Sequence, residues 1–212
     1  MNNNQGSRTR RSVLFGVPSL YLLLGLFHPT TNPEVGDDTT RWIVLHAAQL
    51  VLIGGMAVVL WMLVAKVDNF PARIARALII PYTVIYTTLD SIFGLAWGIV
   101  ARKANGLAAT DKEAAARLMD ELLQEDPAGY VLYFGAGLLW LSVVIAIVAA
   151  HAKHAPQPAL WLIATGAILF GVGHAPPSGP IGMGLFLAGL AWLELRPVRS
   201  REFIASAPSR AA

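Results

Sequence analysis

Four ionisable side chains stand inside otherwise apolar stretches: His28 in "GLFHPTTNP", His46 in "RWIVLHAAQL", Asp90 in "PYTVIYTTLDSIFGLAWG" and His174 in "FGVGHAPPSGPIGMG". An ionisable group in hydrocarbon must be paired, hydrogen-bonded or neutralised, so each is a functional candidate by default. Neutral imidazoles suit zinc, copper, iron or nickel, and a carboxylate can ligate, orient a ligand or act as a general base. His28, His46 and His174 are therefore the candidate metal ligands, and Asp90 with His46 the candidate catalytic pair. The same residues would serve a metal-free cluster that handles protons or binds substrate. They would also serve plain polar packing, in which each helix–helix hydrogen bond is worth roughly 1 kcal/mol.

Spacing adds further residues. Tyr82, Tyr86, Asp90, Gly94 and Trp97 recur at steps of three or four, which puts them on one helix face. Gln49 follows His46 by three and Trp42 precedes it by four, so both share its face; Trp42 is expected at the outer membrane interface. Gln49, Tyr86 and Trp97 are the candidate substrate contacts, with Gln49 placed to orient an imidazole. No H-E-x-x-H, H-x-x-x-H, G-x-S-x-G, Walker A or dinucleotide fingerprint occurs, and the chain has no cysteine. Thiolate chemistry and iron–sulfur clusters are thereby excluded. Any convergence of the histidines must come from topology.

The elements that would create it are apolar helices. Of the 212 residues, 55% are hydrophobic and 14% charged, and the mean hydropathy is +0.55. That composition implies an integral membrane protein of all-α class. Six runs approach the roughly 20 residues that cross a bilayer, at about 12–28, 42–65, 75–100, 128–150, 158–173 and 180–195. The first, with its basic start, reads as an uncleaved span, not a signal peptide, because no A-x-A-like site follows it. Residues 1–200 form one six-helix transmembrane domain and 201–212 a C-terminal tail.

Charge sets the orientation. Arg8, Arg10 and Arg11, then Lys66, Arg73 and Arg76, then "HAKHAPQP", and finally Arg196, Arg199, Arg201 and Arg210 occupy every second segment between spans, and so one side of the membrane. By the positive-inside rule both termini are cytoplasmic in a cell (inner) membrane. The third loop contains "TDKEAAARLMDELLQED", where Thr110 and Glu113 form a capping-box pattern. Ala115, Leu118, Met119 and Leu122 then share a face of a short amphipathic helix on the outer surface, between the third and fourth spans. Glu194 and Arg196 are expected to pair at the inner interface. Tyr130 and Tyr133 fit an outer aromatic belt, and His151 and His154 read as surface residues.

In this topology spans one and five run outward to His28 and His174, and span two begins outside near His46. Three histidines from three helices meet at the outer leaflet, with Asp90 one to two turns deeper. A metal there would polarise an ester, amide or phosphate oxygen, which makes a hydrolase-like enzyme for a lipid-like or amphiphilic substrate the leading reading. The use of histidines and an aspartate on several helices resembles intramembrane zinc hydrolases of the alkaline-ceramidase type, although the paired histidines of that family's last span have no counterpart here. The alternatives are a b-type haem held by His46 with His174 or His28, a proton- or cation-coupled transporter titrating at Asp90, and an accessory membrane subunit. The lipid bilayer is the implied partner, an oligomer is compatible with the pattern, and the scattered basic residues give no nucleic-acid signal.

Overall fold

The computed structural model describes residues 3–30, 34, 38–124 and 127–195. Among them every regular element is helical. The helices are α1 (Asn3–Leu26), α2 (Thr40–Val64), α3 (Phe70–Ala104), α4 (Ala109–Gln124), α5 (Pro127–His151), α6 (Gln157–Val172) and α7 (Ser178–Glu194). All six apolar segments read from the sequence are covered by helix, and α4 is the extra surface helix. The tail at 201–212 lies outside the described residues.

Local sequence sets the ends. Asn69 caps α3, its side chain accepting the Ala72 N–H at 3.0 Å, and a proline stands in the first turn, where its missing N–H costs nothing. Asp38 accepts the Thr40 N–H at 2.9 Å at the start of α2, and this backbone hydrogen bond holds its carboxyl below the usual aspartate pKa. α4 begins two residues earlier than its capping-box pattern indicates, so Thr110 lies inside the helix. Of its expected apolar face, Met119 is buried against Trp97 and Ala101 of α3, while Leu118 and Leu122 are exposed.

Three helices are long and apolar enough to cross a membrane: α2, α3 and α5. They mark the chain as a membrane protein. α6 is equally apolar but has 16 residues, or about 24 Å at 1.5 Å per residue against a hydrocarbon core of about 30 Å. α1 is long, but its first two turns are polar and basic.

The six long-axis helices close into a ring. α1 packs on α2, α2 on α3, α3 on α5, α5 on α6, α6 on α7, and α7 returns to α1, while α2 also touches α5. Trp140, Tyr82, Phe186 and Ile53 fill the interior, and the Trp140 indole donates to the Ala167 carbonyl at 2.9 Å. α6 and α7 touch backbone to backbone: a Cβ on Gly166 would lie 2.6 Å from the Phe186 nitrogen, and one on Gly182 would lie 2.6 Å from the Gly166 oxygen. Small residues permit such approach in membrane helices. At the basic end Arg10 of α1 grips Glu194 of α7 with both guanidinium nitrogens. Arg196, the partner expected for Glu194, lies outside the described residues. His151 is not a free surface residue: its Nε2 meets the Leu63 carbonyl at 2.9 Å, tying α5 to α2.

α3 is not a uniform helix. Over Asp90–Ala96 it widens to a π-helix, a form that concentrates at functional sites. Before this turn α3 packs along α5. From the turn onward it packs on α2 and diverges from α5, and α4 reaches across from the last turns of α3 to α5.

Candidate metal centre

His28 follows the last turn of α1, and Pro29 prevents the helix from continuing. Arg41 at the start of α2 holds the Phe27 carbonyl through Nε at 2.7 Å, which pins this exit to α2. His28 is buried, and its Nδ1 lies 2.6 Å from the Pro29 oxygen. His46, one turn into α2, is also buried, and its Nδ1 lies 2.9 Å from the Trp42 oxygen. A ring nitrogen facing a carbonyl must carry the proton, because the carbonyl can only accept. Both neutral rings therefore present a bare lone pair at Nε2. These two Nε2 atoms are 3.3 Å apart in the interior. Two lone pairs at that distance repel unless a proton or a metal cation lies between them.

His174 enters from the turn between α6 and α7. Gly179 packs so tightly on the His174 carbonyl that no side chain fits there, and Ser178 Oγ donates to the Gly173 oxygen at 2.9 Å. From α1, Gly25 faces the His174 backbone oxygen and Pro180 in the first turn of α7, whose pyrrolidine ring lies 3.2 Å from where a Gly25 Cβ would be. The turn is clamped on both sides. The His174 ring centre lies 4.7 Å from that of His28 and 6.4 Å from that of His46. Its Nε2 is buried and has no hydrogen-bond partner among the described residues. One ligand nitrogen from each of the three rings falls within 4.8 Å of the other two.

Asp90 opens the π-helical turn. Its Oδ1 stands 3.9 Å from His46 Nε2, too far for a direct hydrogen bond, and its Oδ2 is buried without a partner among the described residues. The turn is held by Trp42, whose indole N–H donates to the Gly94 carbonyl at 2.6 Å. Trp42 is thus a buried strut, not the interface marker its type suggests. Gly94 makes room for the His46 ring: a Cβ there would come within 2.7 Å of His46 Cγ.

All four residues line one cavity of about 420 Å³. Tyr86, Trp42 and Phe93 form further wall, and Tyr130, Tyr133 and Phe134 of α5 form an exposed aromatic rim. A chamber of about 30 Å³ adjoins it between Tyr86, Tyr133, Trp140 and His174, with room for a water molecule.

The structure thus brings His28, His46, His174, Asp90 and Tyr86 to one cavity. It does not bring Gln49 or Trp97 to the wall. Gln49 donates from Nε2 to the Tyr86 hydroxyl at 3.3 Å and does not meet an imidazole, and Trp97 packs under α4. Sequence reasoning missed Phe93 and Phe134. Tyr130, Tyr133 and Phe134, three or four apart at the start of α5, carried the available signal for that rim. No protein-family model, curated protein or solved structure matches the chain.

Proposed function

We propose that this chain is a six-span membrane protein, with both termini cytoplasmic, that binds one zinc-like transition metal through His28, His46 and His174 and hydrolyses an amphiphilic substrate. The carrying observation is the pair of Nε2 lone pairs 3.3 Å apart, with the third histidine within 4.8 Å, on a cavity that also holds Asp90. Two ligands about 2.0–2.1 Å from a tetrahedral ion sit about 3.3–3.4 Å apart. Three protein ligands leave a fourth position open, the pattern of catalytic zinc. The same spacing argues against a haem pair, whose nitrogens lie on opposite sides of the iron, about 4 Å apart.

Such an ion lowers the pKa of bound water toward about 7 and polarises an acyl oxygen. The protein supplies the proton path. Asp90 Oδ2, unpaired and beside His46, accepts a proton from the attacking water. The new bond forms between the water oxygen and the acyl carbon, the bond to the leaving oxygen breaks, and Asp90 returns the proton to that oxygen. Tyr86 receives the Gln49 amide proton at its oxygen, which leaves its own O–H hydrogen available to the cavity.

The test is hydrolysis of a long-chain carboxylic ester by zinc-loaded protein in detergent, next to Asp90→Asn. The reading expects turnover in the wild type and a loss of about 10²–10⁴-fold in the variant. Equal turnover in both, or turnover unchanged by chelation, overturns it. Proton-coupled uptake by proteoliposomes without hydrolysis would favour the transporter.

A further inference from the structure

We propose that the cavity admits its ligand sideways from the membrane, between α3 and α5, and selects an amphiphile whose polar group is uncharged. This deepens the function proposed above and rests on its placement of the cavity in the bilayer.

The route follows from the packing. α3 and α5 lie together below the π-helical turn and part above it, so the cavity occupies the resulting gap. α4 bridges the far ends of both helices, yet none of its described residues lines the cavity. The side of the cavity formed by Tyr130, Tyr133 and Phe134 is the exposed one among the described wall residues of α5, at 47%, 48% and 59%. On a helix long and apolar enough to cross a membrane, exposed aromatics face lipid or its interface.

The selectivity follows from the wall. Among the described residues lining the cavity there is no lysine or arginine, and Asp90 is the one carboxylate. A phosphate needs several donors for its oxygens, usually Arg, Lys or a cluster of backbone N–H groups. Here it would meet one metal position, a neighbouring carboxylate and rings. A neutral ester has one acceptor oxygen to satisfy and an apolar remainder, which the aromatic rim and Phe93 match. Arg41 is not part of this wall, and its Nε donates to the Phe27 carbonyl at 2.7 Å.

The test is photolabelling of the full chain in phosphatidylcholine vesicles with a membrane-dissolved neutral monoglyceride carrying a diazirine on its chain. Labelled residues are mapped by mass spectrometry. We expect labelling at Tyr130, Tyr133, Phe134 and Phe93 that saturates and falls about tenfold with excess unlabelled methyl palmitate. Labelling of lipid-facing Trp161 on α6 should not saturate. Hexadecyl phosphate at the same membrane concentration should compete at least about tenfold more weakly. Phe134→Trp, a change at an exposed position that leaves folding intact, should reduce rim labelling and leave Trp161 labelling unchanged. Non-saturable labelling at the rim, or equal competition by the phosphate, overturns the inference. Saturable, ester-selective labelling persists in chelated protein, so a chain that neither binds metal nor hydrolyses would refute the enzyme and leave this route standing.

Discussion

His28 Nε2 and His46 Nε2 face each other at 3.3 Å, and each ring is turned to that position by a backbone carbonyl on its far nitrogen. Orientation of metal-binding imidazoles by such partners is a general device. The arrangement predicts about one zinc per chain after gentle purification. His28→Ala, His46→Ala and His174→Ala should each weaken binding by at least about 10–100-fold, the loss typical of disturbing even an outer-shell partner. Elemental analysis after dialysis against a weak chelator reads this directly. Unchanged stoichiometry in all three variants would remove the metal centre.

Gly94 and Gly54 offer a matched pair of substitutions. A Cβ at Gly94 collides with the His46 ring, whereas one at Gly54 meets nothing within 4 Å. Gly94→Ala should therefore destabilise by about 1–3 kcal/mol, as overpacking does, and should displace a metal ligand. Gly54→Ala should be neutral or gain up to about 1 kcal/mol from helix propensity. Thermal unfolding in detergent together with zinc content separates them. Equal melting temperatures and equal zinc would show that the Gly94 contact is not tight.

Asp38 predicts a pH effect outside the membrane. Its folded pKa is lowered by the Thr40 N–H, so its contribution is complete above the unfolded value and is lost as pH falls through the lowered folded one. Hydrogen exchange in the first turn of α2 should be faster in Asp38→Ala than in the wild type at neutral pH. The ratio should approach one well below the ordinary aspartate value of about 3.9. A ratio independent of pH would mean that the carboxylate does not cap α2.

The helices were legible because apolar runs of 16 or more residues leave the backbone few alternatives. The convergence of His28, His46 and His174 was legible from alternating charge, which ordered the helix ends although no local motif linked them. The fine geometry was not. Whether Gly94 and Trp97 keep the face of Tyr82, Tyr86 and Asp90 depends on the π-helical turn, which opens at Asp90, adds a residue to one helical turn and shifts everything beyond it. No residue in "DSIFGLA" announces that change. Trp42 was misread for a related reason: tryptophan is common at membrane interfaces, and only the approach of the Gly94 carbonyl gives its indole a buried partner. Glu194 pairs with Arg10, 184 positions away, because ring closure brings α1 to α7, a contact that no local pattern in the sequence signals.

Trp42 has two separable duties. Its backbone carbonyl orients His46, and its indole fastens the π-helical turn that carries Asp90. Trp42→Phe keeps the first and removes the second. The Gly94 carbonyl retains the Trp97 N–H as a donor, so the stability cost should be near about 1 kcal/mol, that of one ordinary hydrogen bond. Zinc affinity should stay within a few-fold of wild type. Ester turnover should fall by about 10-fold or more, because a displacement near 1 Å at a reacting group can cost about 100-fold. Zinc loss as severe as in His46→Ala would show instead that the indole holds the histidine itself, and that the turn bearing Asp90 is fixed by α2 packing without it.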